Sequence, residues 1–451
     1  MLKIGWGSRE FTPTRPAMLQ GQMHVRVART ALDPLQVTAM AMESDPPGDS
    51  VIFLSCDLAF PSPKFIRAVR EGVRGRFPYG VAQRIIVNAT HTHTSLVLDD
   101  GFYQHPGGDV MTSEECSALV IGRAVEAVVD AWESRVPRTV GRAFGHAVVG
   151  HNRYATYTDG TARMYGKTHV DNFAWVGGYE DHSLDMLFTW DPDGRLAGVA
   201  LSIPCPSQVT ESIEEFSSDY WHEVRVELRR RLGDHLHVLP LCSAAGDQSP
   251  HFLLYDKLEE EMRRRRGVTE RQEIALRVAD AVERALECTR PEPASACALA
   301  HRVRELSLTA RRIRRADRDW AAAALAEAQA RSQAGWWPEN LRKVVESFDN
   351  DRQADPFPVE IHVVRIGDLA IATNPFELFL DYGLQIKAWS RAAQTMLIQL
   401  TGRGMYLPSA RALQGGGYGV TPAVSPVGPE GGGELVRATV EMIREVFAQG
   451  S

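Results

Sequence analysis

The residues best suited to chemistry begin with Asn88-Ala-Thr-His-Thr-His-Thr-Ser95, directly after an apolar run. His91 and His93 stand at i and i+2, positions that share one face on extended chain. Neutral imidazole is a common zinc ligand, so the pair is a candidate part of a metal site. The plainer alternative is a polar strand end holding ordinary histidines. A second candidate is Ser243-Ala-Ala-Gly-Asp-Gln-Ser-Pro-His251, which follows the apolar run ending at Leu241. Ser249 could be a nucleophile there, but it lacks the Gly-x-Ser-x-Gly elbow and has no base beside it in sequence. A turn serine is the alternative. The third is Asn374-Pro-Phe-Glu377, whose carboxylate could reach a metal or simply complement the N-terminus of a following helix.

Each motif follows an apolar run that reads as a strand. Val51–Cys56 and Arg84–Ala89 are short and continuously apolar, as expected of strands covered on both faces. Helical spacing marks 63–76, 113–134 (with Thr112 or Ser113 as N-cap), 221–232, 269–286 and 434–448. Residues 141–205 read as β-rich, with turns at Asp159-Gly160 and Asp191-Pro-Asp-Gly194. Residues 309–347 form a charged, Ala-rich helical excursion whose Arg cluster reads as a solvated face, because acidic residues are interspersed. The strand–helix alternation suggests an α/β body, and 451 residues are two to four domains' worth or one large one. Parallel strands would gather the three polar motifs at one sheet edge.

Composition narrows the partners. The 451 residues carry 50 basic and 57 acidic side chains, a net charge of −7, which argues against nucleic acid as the main partner. Apolar residues make 44% and charged residues 24%, the values of a globular chain. The longest apolar runs are strand-length, so no integral membrane contact is expected. No leader is visible, and six cysteines lie scattered without a Cys-x-x-Cys pair. The expectation is a cytoplasmic protein, possible as a homo-oligomer, acting on a small molecule.

Taken in order, the motifs resemble the amidase domain of the neutral ceramidases. Ile4-Gly-Trp-Gly-Ser-Arg-Glu-Phe-Thr-Pro13 and Ser55-Cys-Asp-Leu58 resemble its opening strands. Ala89-Thr-His-Thr-His-Thr-Ser95 is similar to its Thr-His-Thr-His-Ser-Gly signature, and Gly246-Asp-Gln-Ser-Pro250 to its Gly-Asp-Val-Ser-Pro turn. His151-Asn-Arg153, Pro375-Phe-Glu377 and the pair Tyr406 and Tyr418 complete the set. The resemblance implies a zinc-dependent amide hydrolase. His91, Glu377 and Tyr406 would be zinc ligands and Ser249 the nucleophile or the group positioning water. His93, Arg153 and Tyr418 would line the scissile amide. Where the family has its second zinc histidine, this chain reads Ser202-Ile-Pro-Cys-Pro-Ser207, so Cys205 is expected as the fourth ligand, a small buried cysteine being the alternative, with Asp219 or His222 as fallbacks. The resemblance runs nearly end to end and implies mixed β-sheets flanked by helices in one catalytic domain over residues 1–451. The chain stops just after the amidase domain, so a smaller soluble amide or ester is expected ahead of a ceramide-like one. An esterase, lactonase or lyase, and a non-catalytic binding protein on the same fold, are the alternatives.

Overall fold

In a computed structural model, which describes residues 2–45, 47–292, 297–351 and 355–448, two β-sheets share a buried interface and helices cover their outer faces. The larger sheet has eight strands, in the order His237–Cys242, Leu196–Ile203, Ser183–Trp190, Val136–His146, Leu2–Glu10, Gln36–Ser44, Ser50–Cys56 and Ile85–Ala89. The smaller runs Leu299–Leu308, Phe357–Ile366, Leu369–Thr373, Gln394–Ile398. Most neighbours are antiparallel. Three pairs are parallel: 52–56 with 85–89, 198–203 with 237–242, and 369–373 with 394–398.

Side-chain alternation explains why Val51–Cys56 is apolar throughout. Val51 and Phe53 enter the core between the sheets, with Ile371 and Met396 of the smaller sheet. Ile52, Leu54 and Cys56 face the other way, into a core that includes Val120, Ala124 and Val128 of the helix Ser113–Glu133. That helix starts where its sequence says it should. Thr112 Oγ1 accepts from the Glu115 amide and the Glu115 carboxylate accepts from the Thr112 amide, a complete capping box.

The structure departs from the sequence reading at three places. The last helix spans Pro429–Ala448, five residues longer at its start, because Pro429 is preset for a first turn and the glycines after it are needed by packing. A Cβ on Gly432 would sit 2.4 Å from the Tyr382 ring. A helix at Asp256–Arg266 buries none of its residues and so has no apolar stripe to announce it. In the excursion, helices form only at Arg315–Ala330 and Trp336–Asp349. Arg311 is not part of a solvated face. It turns inward to Ser425 Oγ at 2.6 Å and Asp317 at 3.2 Å. Among the described residues, no helix is long and apolar enough to cross a membrane.

The three motif strands are not neighbours along one sheet edge. Ile85–Ala89 and His237–Cys242 are the two terminal strands of the larger sheet, and Leu369–Thr373 belongs to the smaller one. They converge because the larger sheet curls until its ends meet. Ser55 Oγ and Asn88 Nδ2 both donate to the Pro240 carbonyl. The smaller sheet closes the corner, with Gln399 N donating to Cys242 O at 2.8 Å and Ser202 Oγ to Leu397 O at 2.7 Å.

One buried ion pair pins the strand end that leads to the first motif. Arg225 donates two bonds to Asp57, at 2.8 and 3.0 Å, and Asp57 also accepts from Gln36 N and Thr90 Oγ1. Burial pushes the Asp57 carboxyl up, and the guanidinium opposes that shift. Removing one partner strands the other charge in the interior. Arg225→Met is therefore expected to lower unfolding stability by about 3–5 kcal/mol in urea titration. Adding Asp57→Asn should recover part of that loss, because the stranded charge is gone.

Candidate active site

His91 is not on extended chain. Its φ of 67° places it in the left-handed region, which non-glycine residues adopt only when their surroundings hold them there. Here the His91 amide donates to Leu58 O at 2.9 Å, and Nδ1 lies 2.6 Å from Ala59 O. The second contact puts the ring proton on Nδ1 and turns the Nε2 lone pair toward Glu377 Oε2, 3.3 Å away. The His93 ring is 4.9 Å from that of His91 but engages different groups. Its Nε2 accepts from the Gln208 amide at 2.9 Å, and Nδ1 lies 3.3 Å from Glu211 Oε2. The two histidines are brought together by a tight turn rather than by strand alternation, and they do not share one partner.

Glu377 is not in the first turn of a helix. It forms a two-residue parallel bridge with Tyr406, and the next helix begins at Leu380. The bridge sets carboxylate and phenol side by side. Burial favours the neutral Glu377 acid, but His91, Arg153 and the Tyr406 hydroxyl together hold its carboxyl below the usual range. Arg153 joins the remaining parts. It donates to Gly246 O at 2.8 Å, Tyr406 Oη at 3.1 Å, Gln208 Oε1 at 3.3 Å and Tyr165 Oη at 3.4 Å. Local pairing makes this possible. The segment His151–Asn152 pairs antiparallel with Gln248–Ser249, and Asp247 is anchored to Asn152 Nδ2 and Leu380 N.

Ser249 is fully buried and does not line the cavity at this site. Its Oγ accepts from Tyr165 Oη and His251 N, both at 3.1 Å, so Tyr165 stands between it and the cavity. Tyr418 does line the cavity, 5.8 Å from Tyr406 ring to ring. Cys205 stands apart. It lies in the core beneath the helix Tyr220–Leu232, outside the cavity lining, and its Sγ donates to backbone carbonyls. The expectation of Cys205 as a ligand is therefore corrected: from its segment Gln208, three residues on, reaches the cavity. Asp219 caps its helix and accepts three bonds from Val209 and Thr210, and neither it nor His222 reaches the site.

The cavity has a volume of about 460 Å³. Of the eight described non-glycine residues with positive φ, four line it: His91, Tyr165, Leu400 and Met405. Such strain concentrates where side chains must be aimed rather than merely packed. Sequence reading missed Tyr165, Gln208, Glu211 and His251. Glu211 bridges His93 and His251, the latter at 3.4 Å, and the two imidazoles hold its carboxyl far below the usual range despite burial. These residues sit in loops with no repeating pattern to mark them.

His91 Nε2, Glu377 and Tyr406 Oη offer one nitrogen and two oxygens to a metal. An imidazole lone pair and a carboxylate 3.3 Å apart need a proton or a cation between them. The separation is also that of two ligands on one tetrahedral ion about 2 Å from each. The Ala59 carbonyl on Nδ1 is the kind of outer partner that fixes a ligating histidine. The donor set therefore fits zinc through three side chains. Among the described residues no three His, Cys, Asp or Glu side chains gather in a way that could hold a metal ion, so the tyrosine would have to complete the set.

Neutral ceramidase from Pseudomonas aeruginosa superposes on the chain with a TM-score of 0.69 at 14% identity, over 99% of this chain and 75% of that one. A ceramidase complexed with C2 superposes over the same shares with a TM-score of 0.70, also at 14% identity. The chain has the neutral ceramidase fold. No family model matches its sequence, and no curated protein does. The α/β class and the ceramidase-like recognition drawn from scattered motifs thus hold at the level of fold.

Within that ceramidase-like fold, Gly246 is a fixed point. A Cβ there would lie 2.3 Å from the Glu377 carbonyl. Gly246→Ala must push the Glu377–Tyr406 bridge away from Arg153. It is expected to lose ligand binding and to melt several degrees lower, since overpacking costs about 1–3 kcal/mol. Thermal melts with and without added zinc would show both effects.

Proposed function

We propose that the chain is a metal-dependent hydrolase of a small amide. The convergence of His91, Glu377 and Tyr406 with Arg153, His93 and Tyr418 on one cavity of a ceramidase-like fold carries this reading. Zinc held by His91, Glu377 and Tyr406 would polarise the amide carbonyl and acidify a water. The chain's own residues supply the rest. Tyr418 presents a donor to the oxygen that gains charge as the carbonyl carbon becomes tetrahedral, and Arg153, its Nη groups engaged within the protein, sets a fixed positive charge beside Tyr406. His93, with Glu211 behind Nδ1 and Nε2 accepting from Gln208, offers Nε2 as the base that takes a proton from the attacking water and passes it to the amine nitrogen as the C–N bond breaks. Ser249 acts through Tyr165, which it orients from behind the cavity wall. A cavity of about 460 Å³ suits a compact amphiphilic amide.

Elemental analysis of protein purified without chelator is expected to find one zinc per chain, lost in His91→Ala and Glu377→Ala and kept in Cys205→Ser. Zinc absent from the wild type, or unchanged in both ligand variants, overturns the metal reading. For the chemistry, Tyr418→Phe should lower kcat on short N-acyl amides about a hundredfold with little change in KM, as expected for a donor used mainly in the transition state. Turnover of matched esters with none of amides would move the reaction to the esterases.

A further inference from the structure

The charged residues lining the cavity are nearly all matched. Glu377 faces His91, Glu211 faces His93 and His251, and Arg153 has four acceptors. Arg403 is the exception. It lines the cavity, and among the described residues it makes no hydrogen bond and no ion pair. Its guanidinium instead rests over a pair of adjoining aromatic rings, 5.0 Å from the Phe60 centroid and 5.2 Å from that of Phe102. Cation–π contact positions a guanidinium without using its N–H groups. Asp99 acts on it only at longer range and is itself engaged by Ser62 Oγ at 3.0 Å. Burial in this setting lowers the Arg403 pKa, the mark of a desolvated charge without a close counterion.

A second observation lies on the same wall. Trp336, from the helix Trp336–Asp349, packs 5.6 Å from the Phe102 ring and lines the cavity. Its indole Nε1 is buried without an acceptor. Indole and guanidinium are both donor-only groups. Both residues abut Phe102, and at Arg403 the cavity wall presents a cation for which the described residues supply no acceptor. A single planar fork suits a carboxylate, whereas a phosphate dianion would call for more than one cation.

We propose that the amide taken up by this site carries a carboxylate, which docks on Arg403 at the wall formed by Phe60, Phe102 and Trp336. The proposal rests on the amide-hydrolase reading for its substrate class. It separates this chain from an enzyme of neutral lipids, since ceramide has no charge to place there. The carboxylate could sit on the amine side, as in an N-acyl amino acid, or on the acyl side, as in a dicarboxylic monoamide.

Both sources share one non-hydrolysable ketone isostere, 4-oxononanoate, whose neutral counterpart is 4-oxononanamide. Calorimetric titration of the protein as purified should find the carboxylate bound about tenfold or more tighter than the carboxamide. That preference should vanish in Arg403→Met and survive in part in Arg403→Lys. If Arg403→Met does not fold, Arg403→Gln takes its place with the same loss expected. Equal affinities in the wild type, a preference unchanged by the substitution, or no binding of 4-oxononanoate at millimolar concentration each overturn the proposal. Turnover of N-hexanoylglycine against N-butylsuccinamate then assigns the side. A charge preference at Arg403 with neither amide cleaved keeps the carboxylate site and defeats the hydrolase reading instead.

Discussion

One buried guanidinium organises the site. Arg153 is withdrawn from water, so its donors must find acceptors inside the protein. It finds them on Gly246, Tyr406, Gln208 and Tyr165, four segments far apart in sequence. Each acceptor fixes a neighbour in or behind the candidate site. Tyr406 sits beside Glu377, Gln208 holds His93, Tyr165 holds Ser249, and Gly246 carries the turn on which Ser249 lies. Arg153 Nε has no partner, so the arrangement is complete in position without being complete in hydrogen bonding.

Such a centre needs a frame that can hold strained backbone. His91, Tyr165, Leu400 and Met405 all occupy the left-handed region at the cavity wall. Strain of that kind costs about 1–3 kcal/mol per residue and persists only where the surroundings over-determine the chain. The curled larger sheet supplies that determination. Its two ends are tied through the Pro240 carbonyl, and the Asp57–Arg225 pair clamps the loop from which Leu58 and Ala59 orient His91. Rigid core and strained rim are two parts of one device.

Much of the frame was legible because repeating physics marks it. Val51–Cys56 and Arg84–Ala89 are apolar without alternation because both their faces are covered, and Thr112 with Glu115 carries a capping box. His91, Arg153, Glu377, Tyr406 and Tyr418 stood out because they are chemically capable residues beside strand ends or in a motif resemblance, and the fold brings all five to one cavity. Cys205 was misplaced by the same reasoning. Three positions along one turn decide whether a side chain faces the core, as Cys205 does with Trp221 and Tyr220, or the cavity, as Gln208 does. Glu211, His251 and Tyr165 left no signal, since a loop residue has no period to read.

What the sequence determined by itself was the inventory: an α/β chain, its strand ends, and the imidazoles and carboxylate beside them, with the guanidinium and phenols added only by the motif resemblance. Local pattern suffices for the strand ends, because burial on two faces, capping and residue chemistry act over a few positions. Tertiary structure decided the pairings. It set His91 against Glu377 but His93 against Glu211, withdrew Cys205 into the core, and placed Ser249 behind Tyr165. It also left Arg403 over two aromatic rings and unmatched. Those outcomes depend on how a curled sheet brings distant ends within a few ångströms of each other, which no window of sequence contains.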